Sequence, residues 1–174
     1  MHLNAENTND VSADLYALSE NSNFVICSGA KSILDLSKTN ELLETLGITR
    51  IGYQTNYMPG FWYEETENKV DNRFDEIHEI SSFLKLNENI ENKKSILIFN
   101  KVPLEKALNK NDVEKWINNA AIKADRNNIS GKELTPFLIK EINEQSKNET
   151  LNANVSLIIN NANLAGKIAK SFYS

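Results

Sequence analysis

Phe24 to Leu36 reads FVICSGAKSILDL: an apolar run, a turn of small residues, a lysine, and then helical spacing. Phe24 to Cys27 fits a short buried strand, and Ser28, Gly29 and Ala30 supply the tight turn that follows it. The spacing predicts a helix over 32–46 with Ile33, Leu36, Leu43 and Leu46 facing inward and Gly47 just past its end. Arg50 to Tyr53 reads as a second strand. Strand, helix and strand in that order make a βαβ unit, which builds parallel sheet with ligands beyond the carboxyl ends of the strands. Lys31 then falls on the first turn of the helix, where free backbone N–H groups create positive potential and favour a neutral amine. A neutral amine is a nucleophile, suited to Schiff-base chemistry on a sugar or carbonyl carbon. The same pattern also fits a plain βα turn carrying a solvated lysine.

Outward from this unit, Asp10 to Leu18 carries Val11, Leu15 and Leu18 on one face of a short helix capped by Asp10 or Ser12. Residues 54–73 form a long irregular connection whose MPGFWYEE cluster either packs beneath a loop or covers a site. A helix is expected over 74–87 and a third strand over 95–99, SILIF. Beyond Pro103 the chain turns helical near 111–128, 133–145 and 150–172, with Ser130 and Gly131 breaking the first two apart. The expected class is α/β: a partial parallel sheet flanked by helices, a helical carboxyl-terminal region, and an incomplete α/β/α sandwich. A sheet of three parallel strands leaves two open edges, so something that covers them is missing. The asparagine pairs beginning at 118, 127 and 160 read as compositional drift without chemistry.

The 174 residues, 40% hydrophobic and 25% charged, suit one ordinary core, so residues 1–174 are taken as a single domain. A net charge of −5 and a pI near 5.2, with scattered basic residues, give no footprint for nucleic acid or an anionic membrane. The single cysteine, Cys27, excludes a disulfide framework and reads as a small core hydrophobe in a reducing compartment. No apolar leader precedes residue 24 and no segment reaches the length of a membrane span, so a cytoplasmic protein is expected. His2 has no visible partner, and His78 lies on a charged helix.

Four blocks in order resemble the pseudouridine-5′-phosphate glycosidases, the indigoidine synthase A-like family. They are DVSADL at 10–15, ICSGAKSILDL at 26–36, GKELTPFL at 131–138 and LNANVSLIINNANLA at 151–165. The stretch ETLGITRIGYQTNYMPGFWY and the turn Phe99 to Pro103 resemble the same family. The match is to the carboxyl-terminal half of such a protein, which makes this chain a partial domain. The resemblance implies reversible cleavage of the carbon–carbon glycosidic bond of pseudouridine 5′-phosphate to uracil and ribose 5-phosphate, a lyase reaction. By this resemblance Lys31 is the catalytic Schiff-base residue. Asp10 binds a divalent cation, taken as manganese, for which a hard carboxylate is the right ligand type. Ser12, Ala13 and Asp14 contact the sugar phosphate, and Asn154 lies close to the substrate. Asp10 and Ser12 are also good helix caps, and Asp14 also suits a helix dipole.

The family's amino-terminal half would supply a general acid/base glutamate, a second lysine and a glycine-rich run, none of which is found here. Ser28 stands where alanine is usual, and Lys147 to Thr150 stand where a glycine pair commonly occurs. The expected partner is therefore a complementary amino-terminal half, or further copies in a homotrimer. The competing expectation is a non-catalytic remnant or binding module that keeps the phosphate and metal contacts. A third is an unrelated lysine-dependent carbonyl enzyme on the same scaffold.

Overall fold

Alternation with period two in three short runs decides the architecture, because it gives each strand two different apolar faces. The computed structural model describes residues 11–90 and 94–174, so His2 and Asp10 lie outside the described residues. Strands β1 (Phe24–Cys27), β2 (Thr49–Tyr53), β3 (Asn72–Phe74) and β4 (Ile96–Phe99) form one all-parallel sheet in the order β1-β4-β2-β3. Phe24 lies beside Ile96, and Ile51 lies beside Ile98. Helices α1 (Ala13–Glu20), α2 (Leu36–Thr45), α3 (Ile77–Asn87), α4 (Lys110–Arg126), α5 (Leu134–Gln145) and α6 (Glu149–Phe172) surround it. The α/β expectation holds, with one strand more than the sequence disclosed. Residues 72–74 form β3, a short and largely exposed edge strand whose Asn-Arg-Phe composition carries no strand signal.

One sheet face presents Phe24, Ile26, Ile51, Ile96 and Ile98 to Ile80 and Leu84 of α3 and to Leu164 and Ile168 of α6. The other face presents Val25, Cys27, Leu97 and Phe99 to Leu15 of α1, Leu43 of α2 and Met58. A third cluster joins α4, α5 and the first half of α6 around Trp62, Tyr63 and Val102. At roughly 25 cal/mol per Å² of apolar surface removed from water, these three clusters are the main source of stability. No helix among the described residues is long and apolar enough to cross a membrane.

Two helix starts differ from expectation. Ser32 to Leu34 are not helical, because the Ser32 hydroxyl donates to the Gly60 carbonyl and the Leu34 N–H closes a turn onto the Lys31 carbonyl. Helix α2 therefore begins at Leu36, where the Asp35 carboxylate accepts the Lys38 N–H at 2.9 Å. Ile33 is buried all the same, but in the cluster with Trp62 rather than on the stripe of α2. Helix α3 starts at Ile77, after Phe74 has joined β3, and is closed by a reciprocal capping box between Glu76 and Glu79. Gly47 follows α2 in the left-handed conformation at φ 68°, as expected of a C′ residue.

Between α5 and α6, Lys147 and Asn148 both take left-handed backbone, at φ 50° and 67°. Glycine would enter this backbone without strain, which agrees with the glycine pair expected at this place. An L-residue in that region costs about 1–2 kcal/mol, less for asparagine. Lys147→Gly should accordingly raise stability by about 0.5–1 kcal/mol after the added chain entropy of glycine is subtracted. Urea unfolding of the two forms checks this, and an unchanged or lower midpoint would contradict it.

Candidate functional site

At the carboxyl ends of β1 and β4 the backbone leaves the sheet and the side chains become polar: Ser28 after β1, Asn100 and Lys101 after β4. Gly29 follows Ser28 at φ 84°, and a Cβ there would collide with the Pro59 carbonyl oxygen. Only glycine fits both constraints. Loop 58–63 thus lies directly against the turn that carries Lys31. Ser32 strengthens this contact by donating to the Gly60 carbonyl at 2.5 Å, and the Trp62 N–H donates to the Gly60 carbonyl at 2.9 Å. The aromatic cluster mainly packs: Met58, Trp62 and Tyr63 are buried. Phe61 is the exception, a half-buried ring at φ 67° that edges onto Trp62 and onto the cavity described next.

That cavity, about 590 Å³, opens between α1, the Lys31 turn and the second face of the sheet. Its deep wall is apolar: Leu15, Val25, Leu43, Met58, Leu97 and Phe99. Among the described residues its charged groups are one cation, Lys31, and one carboxylate, Asp14. Ser12 and Thr135 are also on the wall. The structure therefore gathers Lys31, Ser12 and Asp14 around one space. Lys31 is exposed there and precedes α2 instead of lying on its first turn, so the helix-terminus argument does not apply to it. Ser12 caps α1, accepting the Asp14 N–H at 3.3 Å and donating to Asp14 Oδ2 at 3.0 Å. Ala13, the first residue of α1, is exposed and lies off the cavity wall. Asn154 is also off the wall; its Oδ1 accepts the Trp62 indole N–H at 2.7 Å, so it supports the loop behind Lys31.

Asp10 lies outside the described residues. Among those residues no three His, Cys, Asp or Glu side chains come together as a metal site. A single carboxylate already bonded to Ser12 does not fit a divalent cation, which takes several oxygen ligands. Cys27 faces the cavity from β1, and burial pushes its thiol up to about 11 despite the Gly29 backbone contact. Such a thiol stays protonated and is unsuited to nucleophilic work.

Sequence reasoning missed Asn160 and Asn161 of α6. Asn160 Nδ2 donates to the Lys101 carbonyl at 3.0 Å. Asn161 Nδ2 donates to Ser28 Oγ at 3.0 Å, while Asn161 Oδ1 accepts Asn100 Nδ2 at 3.1 Å. The pair taken as compositional drift instead ties α6 to the ends of two strands. Its signal was present in the spacing, since Asn154 and Asn161 stand two helical turns apart and face the same side.

The profile of the family described as Indigoidine synthase A like protein matches residues 1–171. The chain belongs to the indigoidine synthase A-like family. A pseudouridine-5′-phosphate glycosidase of Petrotoga mobilis is 44% identical over 172 residues, covering 99% of this chain and 56% of its own length. A protein of the same name from Staphylococcus aureus is 42% identical over 169 residues, covering 97% of this chain and 55% of its own. The prealnumycin C-glycosynthase AlnA, solved with ribulose 5-phosphate, aligns at TM-score 0.92 and 29% identity over 98% of this chain and 56% of its own. An indigoidine synthase A-like protein from Thermotoga maritima aligns at TM-score 0.82 and 34% identity, over 92% of this chain and 53% of its own. The chain thus spans about half the length of the family members it matches.

Behind the cavity, Glu65 joins the ends of β2 and β4. Thr55 Oγ1 donates to it at 2.7 Å and Lys101 Nζ at 3.2 Å. Partial burial alone would raise the Glu65 carboxyl, but the Thr55 and Lys101 hydrogen bonds and the Lys101 and Arg73 charges outweigh it and hold the group below 4.5. A depressed folded value means that Glu65 contributes stability above 4.5, and that this contribution is lost as pH falls through the lower folded value. Glu65→Gln should therefore reduce stability near neutrality and flatten its acid limb. Urea midpoints across pH check this, and parallel pH profiles for the two forms would contradict it.

Proposed function

We propose that this chain is the carboxyl-terminal half of a pseudouridine-5′-phosphate glycosidase-like domain, residues 1–174, and that Lys31 is its Schiff-base residue. The observation that carries the reading is the gathering of Lys31, Ser12 and Asp14 around one cavity that runs along a face of the parallel sheet and reaches the turn after β1. The names of the Petrotoga and Staphylococcus relatives support the substrate, and a sugar 5-phosphate bound to AlnA supports the class of ligand.

In this reading the Lys31 Nζ lone pair bonds to C1′ of pseudouridine 5′-phosphate as the C1′–O4′ bond breaks, and the proton that Nζ then sheds passes to O4′. The nitrogen lone pair then forms C=N while the C1′–C5 bond breaks, its electron pair leaving on the uracil carbon, which takes a proton. Water adds to the C=N and returns the amine and ribose 5-phosphate. A nitrogen lone pair that pushes into C1′ is what a carbon–carbon glycoside needs, because paired carboxylates serve a heteroatom leaving group. The sugar phosphate is assigned to the start of α1, to the Ser12 hydroxyl and the backbone of Ala13 and Asp14, because the Ala13 side chain lies off the cavity wall and the Asp14 carboxylate repels an anion. Asn154 keeps the loop behind the lysine in place. A divalent cation, manganese in this reading, is assigned to Asp10. The described residues do not complete its ligand set, and no step is routed through it.

The proton donor to the uracil carbon is assigned to a complementary amino-terminal half, in a cytoplasmic assembly that is a homotrimer or a two-piece enzyme. Loss of such a group costs about 10²–10⁴ in rate. Because the chain spans only about half of its relatives, a non-catalytic binding module is the second reading. Ribose 5-phosphate and borohydride separate the two, with the chain tested alone and with the unmatched remainder of the Petrotoga mobilis protein. The proposal expects a reduced adduct on the Lys31 peptide, absent in Lys31→Arg, and uracil release from pseudouridine 5′-phosphate only with the complement. No adduct in either mixture, or an adduct on another lysine, would select the second reading.

A further inference from the structure

We infer that Asn161 is a positioning residue for Lys31, acting through the turn at the carboxyl end of β1; this rests on the imine reading of Lys31. Strands β1 and β4 are neighbours, and their pairing runs to its end with the Asn100 N–H donating to the Cys27 carbonyl at 2.9 Å. Asn161 enters just beyond that point from α6. Its carboxamide uses both of its ends, Nδ2 donating to Ser28 and Oδ1 accepting from Asn100. Ser28 is 2% exposed and Asn100 6% exposed, so water has little access to replace either bond. Among the described residues no buried side-chain polar atom lacks a partner.

Only Gly29 and Ala30 separate Ser28 from Lys31, and Gly29 is pinned against Pro59. Ser28 is therefore the last residue before the lysine that a helix side chain holds, and Asn161 is the side chain that holds it. Loss of the carboxamide releases one side of the turn. A misplacement of about 1 Å is enough to cost up to about 10²-fold in a reaction that depends on alignment.

Hydrogen bonding and simple packing make opposite demands at this site. Leucine fills nearly the same volume as asparagine but bonds to neither partner. Aspartate changes the charge yet still accepts from the Ser28 hydroxyl and the Asn100 amide.

The test is borohydride trapping with ribose 5-phosphate in the chain plus its complement, comparing Asn161→Asp, Asn161→Leu and Asn161→Ala with the parent. Circular dichroism confirms that each is folded. The expected result is a maximal Lys31 labelling rate in Asn161→Asp close to the parent, and lower by about tenfold in Asn161→Leu, with the half-saturating sugar phosphate concentration unchanged. Where Asn161→Leu fails to fold, the same contrast is read between Asn161→Asp and Asn161→Ala. Labelling of Asn161→Leu at the parent rate overturns the inference alone, as does labelling of Asn161→Asp as slow as that of the apolar variants. An unlabelled parent overturns the Lys31 reading, and the inference with it.

Discussion

The Pro59 carbonyl oxygen occupies the volume into which a side chain at residue 29 would project, and most of the functional end of the molecule is arranged around that contact. It forces glycine at 29, in left-handed backbone, and so fixes how the chain leaves β1. It also places Ser32 where its hydroxyl reaches the Gly60 carbonyl, so the turn and the aromatic loop meet on each side of Lys31, by close packing at Gly29 and by a hydrogen bond at Ser32. Trp62 carries the constraint onward: its indole reaches Asn154, and its backbone carbonyl accepts the Leu108 N–H at 2.8 Å. Three distant parts of the sequence are thereby bound to one short turn.

Helix α6 is the second organiser. Its apolar residues Leu164 and Ile168 support one sheet face, while Ala153 and Leu157 join the third cluster with α4 and α5. Between them Asn154, Asn160 and Asn161 meet the polar ends of loops and strands. Removing a carboxamide leaves buried partners such as Ser28 and Asn100 short of a bond at about 1–3 kcal/mol, so these side chains specify how α6 is seated along the sheet as well as where. An apolar surface alone would allow the helix to slide.

Residues with a strong local signal were legible in the sequence. The apolar runs Phe24 to Cys27 and Ile96 to Phe99, the Gly47 stop and the Ser130–Gly131 break all correspond to what the chain does. Long-range contacts overrode local preference elsewhere. Ser32 to Leu34 have helical spacing but are drawn into a turn by Gly60, and Asn72 to Phe74 pair as a strand because β2 offers them an edge. The cavity was half legible. Lys31 and Ser12 could be singled out from their blocks, but nothing local tells that Asn161 meets Ser28, since that contact is a product of the tertiary fold.

Parallel order has a temporal side. The neighbour of β1 is β4, with Phe24 beside Ile96, so α2, β2, β3 and α3 must all be synthesised before the first strand can find its partner. Closing so long a loop is entropically costly and slow relative to forming the intervening helices. On the ribosome, β1 emerges before β4 and waits for it. The nascent chain then carries Phe24 to Cys27 as an unsatisfied apolar ribbon, a natural hand-hold for chaperones that act before translation is complete.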